Sequence, residues 1–378
     1  MGIRDLTRLP APKQREHITP SSAPIFLQCW LRVAYSSDPA FRAEVPGSPA
    51  SRLGSACHHV LELAGAGALP PPSTPAWPEA FETAWNQAIA AEEERARKHP
   101  LENHLPPADR WAGYAMRKVR TRKLAAQLGT SATKPAPAPG MEIELEQEHV
   151  GFEGKLRGRP DIVRRTADGT AIEDYKTGSL YEAESGELKE DYRLQLLLYA
   201  ALAGEIEGTG VTSARLVPLE GEPAQIKIEG TEAAEAAREV VAAMDGYNQA
   251  VAAGTEPEDL ASPEPSHCRF CPFAVRCPAF WSAITPEWSA EGILAVAGQV
   301  SEVTASRFGT FNIEAAAEAG STSSDAVTLH GLPFDQFGPA AAAASGSPMA
   351  ATGLRPGAHP GVLRPTLRTR LVVSGGNE

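Results

Sequence analysis

Two aspartates and one lysine stand in neighbouring segments that read as β-strands. Apolar, β-branched runs flank an Asp-Gly pair, Asp168 and Gly169, which predicts a hairpin turn. With these two as the central turn residues, Asp161 lies opposite Lys176, and Asp174 is the diagonal neighbour of Asp161. Opposite and diagonal partners share one face of a sheet at roughly 5–8 Å. The three charged side chains are therefore expected to converge.

These residue types together suit chemistry on phosphate. Two carboxylates on one face repel each other unless a cation lies between them, and a divalent ion that prefers oxygen ligands fits that position. A lysine beside the ion can orient or help to deprotonate an attacking water, while the ion lowers the pKa of the water and stabilises charge on a phosphate oxygen. The alternative is a surface hairpin that carries an ordinary salt bridge.

Two predicted helices carry further polar pairs at a spacing of four residues, which places both members on one helix face. His58 and Glu62 lie on an early helix, and Gln195 and Tyr199 lie on the helix predicted for 189–203. Each pair alone is as compatible with helix packing as with binding.

The order of these motifs resembles that of the PD-(D/E)xK nucleases, and of their RecB-like branch in particular. Pro160-Asp161 and Asp174-Tyr175-Lys176 are similar to the two parts of the motif that names the superfamily. Gly54 to Glu62 is similar to the histidine-bearing helix of the RecB-like branch, and Gln195 to Tyr199 is similar to the Q-x-x-x-Y motif of that branch.

This resemblance implies a fold and a set of roles. The fold is α+β, a restriction-endonuclease-like core in which helices flank a mixed sheet. The activity is hydrolysis of phosphodiester bonds, with Lys176 positioning the attacking water and with Gln195 and Tyr199 facing the DNA. The implied ligands of Mg²⁺ or Mn²⁺ are His58, Asp161, Asp174 and the main-chain carbonyl of Tyr175.

The cysteines suggest a second metal centre. Five occur, and an odd number in a cytosolic chain argues against a disulfide framework. Cys268, Cys271 and Cys277 have C-x2-C-x5-C spacing, which suits a soft metal centre with a fourth ligand from elsewhere, and Cys29 in the first predicted helix is the candidate. The pattern resembles iron–sulfur nucleases of the AddB type and the CRISPR-adaptation exonucleases, which implies a 4Fe–4S cluster. Zinc bound by four cysteines is the chemical alternative, and Cys57 is expected to pack in the core.

The length of 378 residues exceeds that of one usual domain, so two domains are expected. We expect a disordered N-terminus over 1–20, a nuclease domain over 21–285 with a helical insertion at about 66–128, and a further domain over 288–378. Because no run of 18 apolar residues is present, we also expect a soluble, cytoplasmic protein without a membrane partner.

The net charge of −12 argues against a generally basic coat for nucleic acid, but binding needs only a local basic surface. One candidate surface lies on a predicted helix and comprises Arg110, Arg117, Lys118, Arg120, Arg122 and Lys123.

The C-terminal region is rich in small residues and short strand-like segments. Five strands are predicted, at 293–306, 310–317, 326–332, 349–354 and 366–373. A helix at 334–345 follows the third. This order matches an OB-fold, an all-β barrel that often binds single strands, and a purely structural β-barrel is the alternative.

Together these features predict a metal-dependent DNA nuclease, an exonuclease on single-stranded DNA, in repair, recombination, or phage or CRISPR-type defence. The Walker A motif is absent, so unwinding would need a helicase or a similar partner protein. One alternative is a catalytically silent nucleic-acid-binding subunit of such a complex, against which the intact Asp/Asp/Lys trio argues. The other is a metalloprotein or redox carrier without a nucleic-acid role, against which the crowded basic residues argue.

Overall fold

The computed structural model describes residues 5–132, 142–166, 169–182, 185–207, 211–306 and 308–374. The helices are α1 (Ala23–Gln28), α2 (Trp30–Ser37), α3 (Pro39–Arg42), α4 (Pro49–Gly65), α5 (Trp77–Lys98), α6 (Tyr114–Ala132), α7 (Glu190–Glu207), α8 (Gly230–Ala252), α9 (Pro265–Cys268), α10 (Pro278–Ala283) and α11 (Phe334–Phe337). The strands are β1 (Glu142–Leu145), β2 (His149–Gly151), β3 (Leu156–Gly158), β4 (Ile162–Thr166), β5 (Gly169–Lys176), β6 (Val211–Pro218), β7 (Ala224–Lys227), β8 (Val296–Ala305), β9 (Thr310–Gly320), β10 (Ala326–Pro333), β11 (Pro348–Thr352), β12 (Arg355–Pro356), β13 (Val362–Arg364) and β14 (Arg370–Val373). Over these ranges, no helix combines the length and the apolar character that crossing a membrane requires.

The first sheet has five strands in the order β1-β4-β5-β6-β7. Strand β4 is antiparallel to β1 and β5, β5 is parallel to β6, and β6 is antiparallel to β7. A parallel pair needs a crossover connection, and α7 supplies it. The result is the mixed sheet of an α+β protein, as the sequence predicts.

Hydrophobic cores cover both faces of this sheet. On one face Val163 and Ile172 pack with residues of α1, α2, α7 and α8, and on the other Ile162 and Tyr175 pack with residues of α4, α5 and α6. Successive residues of a strand point to opposite faces, so both faces of the β4–β5 pair are buried. The sheet is therefore the middle layer of three.

Two predicted elements are divided in the structure. The first strand of the predicted hairpin is divided into β3, which pairs only with β2 among the described strands, and β4, which begins after Pro160. Proline cannot donate to a ladder, which accounts for the interruption. The single helix predicted up to Tyr35 becomes α1 and α2, separated by Cys29 in an extended conformation with φ −159° and ψ 113°.

The N-terminal segment, predicted to be disordered, is packed against the rest of the chain from residue 5 onward. Leu6 is 2% exposed and Ile18 is 1% exposed. Ile18 also bridges to Leu156, and Arg276 donates to the carbonyl of Leu6 at 3.1 Å. The segment therefore belongs to the folded core, which the polar composition of this stretch concealed.

The C-terminal region forms a curled sheet in the order β12-β13-β10-β9-β8-β11-β14. The five predicted strands correspond to β8, β9, β10, β11 and β14, and α11 with a following 3-10 turn, Gly338–Ala342, replaces the predicted helix. The short strands β12 and β13 were not predicted. Among the described residues no ladder joins β12 to β14, so the hydrogen bonds define an open sheet rather than a closed barrel.

A buried charge network fixes the N-terminal end of α4 against α5. Arg52 donates to Glu102 through Nη2 at 2.7 Å and through Nε, and to Glu92 through Nη1 at 3.1 Å. Gly47 N–H adds a third hydrogen bond to Glu102, whose side chain is 1% exposed. Burial acts to raise the pKa of Glu102, but the bonds from Arg52 and Gly47 outweigh it and leave that pKa below its ordinary value.

Replacing Arg52 with methionine should lower the free energy of unfolding by about 3–5 kcal/mol, because it leaves buried carboxylates without a cation. Urea titration at neutral pH measures this. The matched control is Arg97→Met, because Arg97 pairs with Glu94 on the exposed face of α5 and such pairs contribute only about 0–1 kcal/mol. Equal losses in the two variants would contradict the assignment.

Candidate active site

The two aspartates meet where β4 begins and β5 ends. The β4–β5 register pairs Ile162 with Glu173, so the next pair in the same register is Asp161 with Asp174. This corrects the prediction that Asp161 lies opposite Lys176. The two carboxylates are direct neighbours, and the lysine is diagonal to the first of them.

The difference arises in the turn. Thr166 pairs with Gly169, so Gly169 belongs to β5 rather than to the centre of the turn. Ala167 and Asp168, the rest of the predicted turn, lie outside the described residues. The shift moves each partner by two residues, and an even shift keeps every side chain on its predicted face. Asp161, Asp174 and Lys176 therefore still share one face of the sheet, although the predicted register was wrong.

Main-chain groups fix the position of Asp161. The N–H of Tyr175 donates to Asp161 Oδ2, and the carbonyl oxygen of Asp161 accepts from Glu146 N at 3.1 Å. Asp161 is thereby tied to β5 on one side and to the end of β1 on the other.

A hydrogen-bonded chain from α7 holds Lys176. Its Nζ lies 2.7 Å from Asp174 Oδ2 and donates to Gln195 Oε1 at 2.7 Å. The amide of Gln195 lies 3.4 Å from Asp174 Oδ1 and 3.2 Å from the Tyr199 hydroxyl, and that hydroxyl donates to the carbonyl of Arg159 at 3.3 Å. The Gln195–Tyr199 pair thus positions the lysine and the aspartate together.

The surroundings of Asp174, which is 4% exposed, shift its pKa. Burial raises its pKa to about 6; Lys176 acts to lower it, and Asp161 acts to raise it further. Two neighbouring carboxylates in one buried site disfavour double ionisation, and a cation beside them offsets this.

His58 reaches the same group of residues from α4. Burial lowers its pKa; the charge of Asp161 opposes this shift, and that of Lys176 adds to it. The imidazole is therefore neutral near pH 7. Helix α4 approaches closely because residue 54 is glycine: a Cβ there would lie 2.8 Å from Thr177 Oγ1.

Sequence reasoning missed two side chains of this site. Glu146, which was not among the predicted site residues, shares a hydrogen bond with the Asp161 carboxylate, and Arg159 pairs with Glu146 at 2.9 Å. Burial, followed by this hydrogen bond and the charge of Asp161, raises the pKa of Glu146 to about 8. Tyr192 places its ring 4.8 Å from Lys176 Nζ. No motif in the sequence pointed to Glu146, whereas Tyr192 precedes Gln195 by three residues and could have been inferred from helix periodicity.

The four cysteines predicted as ligands come together elsewhere in the fold. Cys29, Cys268, Cys271 and Cys277 line one cavity and are free thiols. Burial raises the pKa of Cys268, and its three partners raise it further. Cys57 is fully buried in the helical core and is not among the residues that line this cavity.

Neither the aspartate site nor the cysteine cavity has its side chains arranged around a single metal ion. Across the described ranges, no group of three or more histidine, cysteine, aspartate or glutamate side chains is placed so that it could hold one metal ion. In the aspartate site Lys176 lies against Asp174, and the N–H of Tyr175 is directed at Asp161.

The predicted basic surface is largely occupied by contacts within the fold. Lys118 pairs with Glu82 at 2.6 Å, and Arg120 pairs with Glu220. Arg122 stacks over Trp77, 5.5 Å from its ring centroid. Arg117 donates to the carbonyl of Ala50 at 2.7 Å. Arg110 lies outside the helix, in the 3-10 turn Ala108–Arg110.

Comparison with solved structures gives a weak likeness. The structure titled "Crystal structure of SSO0001" is 15% identical, with a TM-score of 0.29, over 71% of this chain and 88% of that one. No curated protein matches this sequence. The sequence model described as "PD-(D/E)XK nuclease superfamily" matches residues 17–278, which is more than half of the chain and includes every residue of the site above. The chain therefore belongs to the PD-(D/E)XK nuclease superfamily.

Proposed function

We propose that this chain is a RecB-like, Mg²⁺- or Mn²⁺-dependent deoxyribonuclease that degrades single-stranded DNA as an exonuclease. The observation that carries the proposal is the network in which Gln195 holds both Lys176 and Asp174 beside Asp161. The RecB-like assignment and the preference for ends rest on the resemblance of the motifs. A partner such as a helicase would supply the single strand.

The donor set suits a hard divalent ion. Asp161 and Asp174 offer carboxylate oxygens, His58 offers a neutral imidazole, and the Tyr175 carbonyl adds a further oxygen. Asp174 Oδ2 is buried and has no hydrogen-bond partner of acceptable geometry, although Lys176 Nζ lies 2.7 Å away. An oxygen with that unused capacity fits a ligand better than a purely structural ion pair.

When bound, such an ion would supply Lewis-acid stabilisation of a phosphate oxygen and a water of lowered pKa. The chain's own groups bind, orient and move protons. Lys176 is held between Gln195 and Asp174, and from this position its ammonium group would orient a water or a phosphate. Tyr199 fixes Gln195 from the next turn of α7. Because these groups are held in place before substrate binds, little reorganisation is needed during the reaction.

We further propose that Glu146 keeps its proton and donates a hydrogen bond to Asp161 in the ion-free enzyme. Its raised pKa means that a protonated carboxyl next to a carboxylate is the stable state at neutral pH. This pair orients Asp161 and limits the repulsion between the acidic groups of the site.

We also propose that Cys29, Cys268, Cys271 and Cys277 hold a 4Fe–4S cluster. Each cysteine of such a cluster binds a different iron, so four thiolates around a common cavity suit it although they do not surround a single ion. The cluster would join the break between α1 and α2 to the loop after α9. For residues 288–378 we propose an OB-like fold, supported by the strands β8, β9, β10, β11 and β14 and by the helix after the third of them.

The nuclease proposal is tested with end-labelled single-stranded DNA and Mn²⁺. Lys176→Met and Asp161→Asn should each lower the cleavage rate at least about tenfold, because each removes a group that positions water or the ion. Lys98→Met removes an exposed lysine on α5 and should leave the rate unchanged. Equal rates in all variants would place the chemistry elsewhere, and a wild type that binds but never cleaves would favour a silent binding subunit.

The proton on Glu146 predicts a pH dependence of stability. A raised folded-state pKa means that the folded chain retains a proton that the unfolded chain releases, so stability decreases as the pH rises from about 4.5 to about 8. In EDTA, the unfolding free energy of the wild type should therefore fall relative to that of Glu146→Gln over this window. The control is Glu148→Gln, at an exposed position two residues further along the chain, and its unfolding free energy should depend on pH in the same way as that of the wild type. Parallel curves for all three proteins would refute the shared proton.

The cluster proposal is tested by metal analysis and visible spectra after purification without oxygen. The wild type should be brown and contain about four irons per chain. Cys271→Ser should lose colour and iron, whereas Cys57→Ala should retain both because Cys57 does not line the cavity. A colourless wild type with about one zinc per chain would favour the tetrahedral zinc alternative and exclude the cluster.

A further inference from the structure

The loop between Cys268 and Cys271 presents an aromatic ring to solvent. Phe270 in this loop is 56% exposed. Isolated exposed apolar side chains are common on proteins and carry no meaning alone. The residues around Phe270 distinguish it from such cases.

Two guanidinium groups lie against the Phe270 ring. Arg368 places its guanidinium carbon 4.4 Å from the ring centroid, and Arg269 places its own at 5.2 Å. Arg368 precedes β14, so this contact joins the cysteine loop to the C-terminal sheet. Leu367 beside it is 83% exposed. An apolar surface flanked by arginines thus runs across the boundary between the two parts of the chain.

A cleft of about 400 Å³ lies between the same elements. Arg8, Arg276 and Arg370 line it, and of its described lining residues Glu44 is the one carboxylate. Glu44 pairs with both Arg8 and Arg276. The lining therefore carries more positive than negative charge, although the chain as a whole has a net charge of −12.

Arg370 is the cation in this cleft that has an unused donor. Its Nη1 donates to the carbonyl of Thr369 at 3.2 Å, while its buried Nε has no hydrogen-bond partner. Burial lowers its pKa, which Glu102 opposes. An anion beside Arg370 would pair with the free donor and reduce the cost of burying the charge.

We infer that these residues, named the cysteine-loop seam (Phe270, Arg269, Leu367, Arg368 and Arg370), bind a single strand of nucleic acid outside the active site. Every base has a π-face that can stack on an aromatic ring or a guanidinium, and arginine also pairs with phosphate. A base stacks on Phe270, and the adjoining phosphate pairs with Arg368 and lies near Arg370. This inference rests on the proposed function in one respect: the strand is taken to be the nuclease substrate.

The test measures equilibrium binding of the full-length protein in EDTA, where no cleavage occurs. The probes are a fluorescein-labelled oligothymidylate and an abasic strand of the same length and charge. Phe270→Leu keeps an apolar side chain but loses the ring, and it should weaken binding of oligothymidylate by about 5- to 150-fold while leaving abasic-strand binding unchanged. Phe270→Tyr keeps the ring and should retain the affinity of the wild type.

Two further variants distinguish the effect of an arginine in the seam from the effect of an arginine elsewhere on the surface. Arg368→Gln should weaken binding of both probes and lower the salt dependence by about one phosphate contact. The matched control is Arg355→Gln, because Arg355 lies on β12 at the opposite edge of the curled sheet and is exposed. It should bind both probes like the wild type.

Equal binding by Phe270→Leu and the wild type would overturn the inference, as would affinity for an acidic peptide without affinity for oligothymidylate. Cleavage with Mn²⁺ is measured separately. If the wild type cleaves the strand and the seam variants bind it normally, the nuclease proposal stands and the proposed binding at the cysteine-loop seam is refuted. A wild type that binds through the seam without cleaving would contradict the nuclease proposal alone.

Discussion

The antiparallel register of β4 and β5 is the constraint on which the site depends. It places the carboxylates of Asp161 and Asp174 side by side at one end of a buried sheet, and their mutual repulsion must be offset. Lys176 offsets it directly at 2.7 Å, and Gln195 holds that lysine from a helix on one face of the sheet. The stability of the two carboxylates therefore depends on helix packing, because α7 must lie close enough to Asp174 for Gln195 to hold Lys176 beside it.

Close helix approach makes this arrangement possible. A Cβ at Gly158 would lie 2.9 Å from both Tyr199 Cε1 and Leu202 Cδ1, so any side chain there would push α7 away from the strand that precedes Pro160. Gly54 has the same effect for α4 against Thr177. Both glycines act through packing, since a small residue is needed wherever helix and strand backbones approach each other. The histidine and the glutamine reach the two carboxylates from different helices only because of this proximity.

The sequence predicted the parts of the molecule that follow from short-range pattern. The strand-like runs around Asp168 and Gly169, the helix predicted for 189–203 and the Asp/Asp/Lys spacing each reflect local pattern, and they were sufficient for the α+β class and for the family. The turn register was wrong because Asp-Gly is compatible with more than one placement, and only tertiary packing distinguishes them. The packing of Ile18 depends on Leu156, which lies more than 100 positions away in the chain, so no local pattern reports it. Glu146 was missed for a similar reason, because its role comes from the position of Asp161 and not from its own neighbours in the chain.

The acidic composition also has to be reconciled with a nucleic-acid substrate. A net charge of −12 would repel phosphate unless cations are concentrated where the strand runs. Helix α6 has the highest density of basic residues among the helices, but two of them are already in ion pairs: Lys118 with Glu82 and Arg120 with Glu220. A cation in an ion pair contributes little to phosphate binding, since the phosphate must first displace its partner. The arginines at the junction of the cysteine loop and the curled sheet differ, because Arg368 lies over an exposed ring and Arg370 retains a free donor. We therefore expect the nucleic-acid strand to run along this junction rather than along α6. The sequence alone favoured α6 because a sequence shows which residues are charged but not which of them form ion pairs.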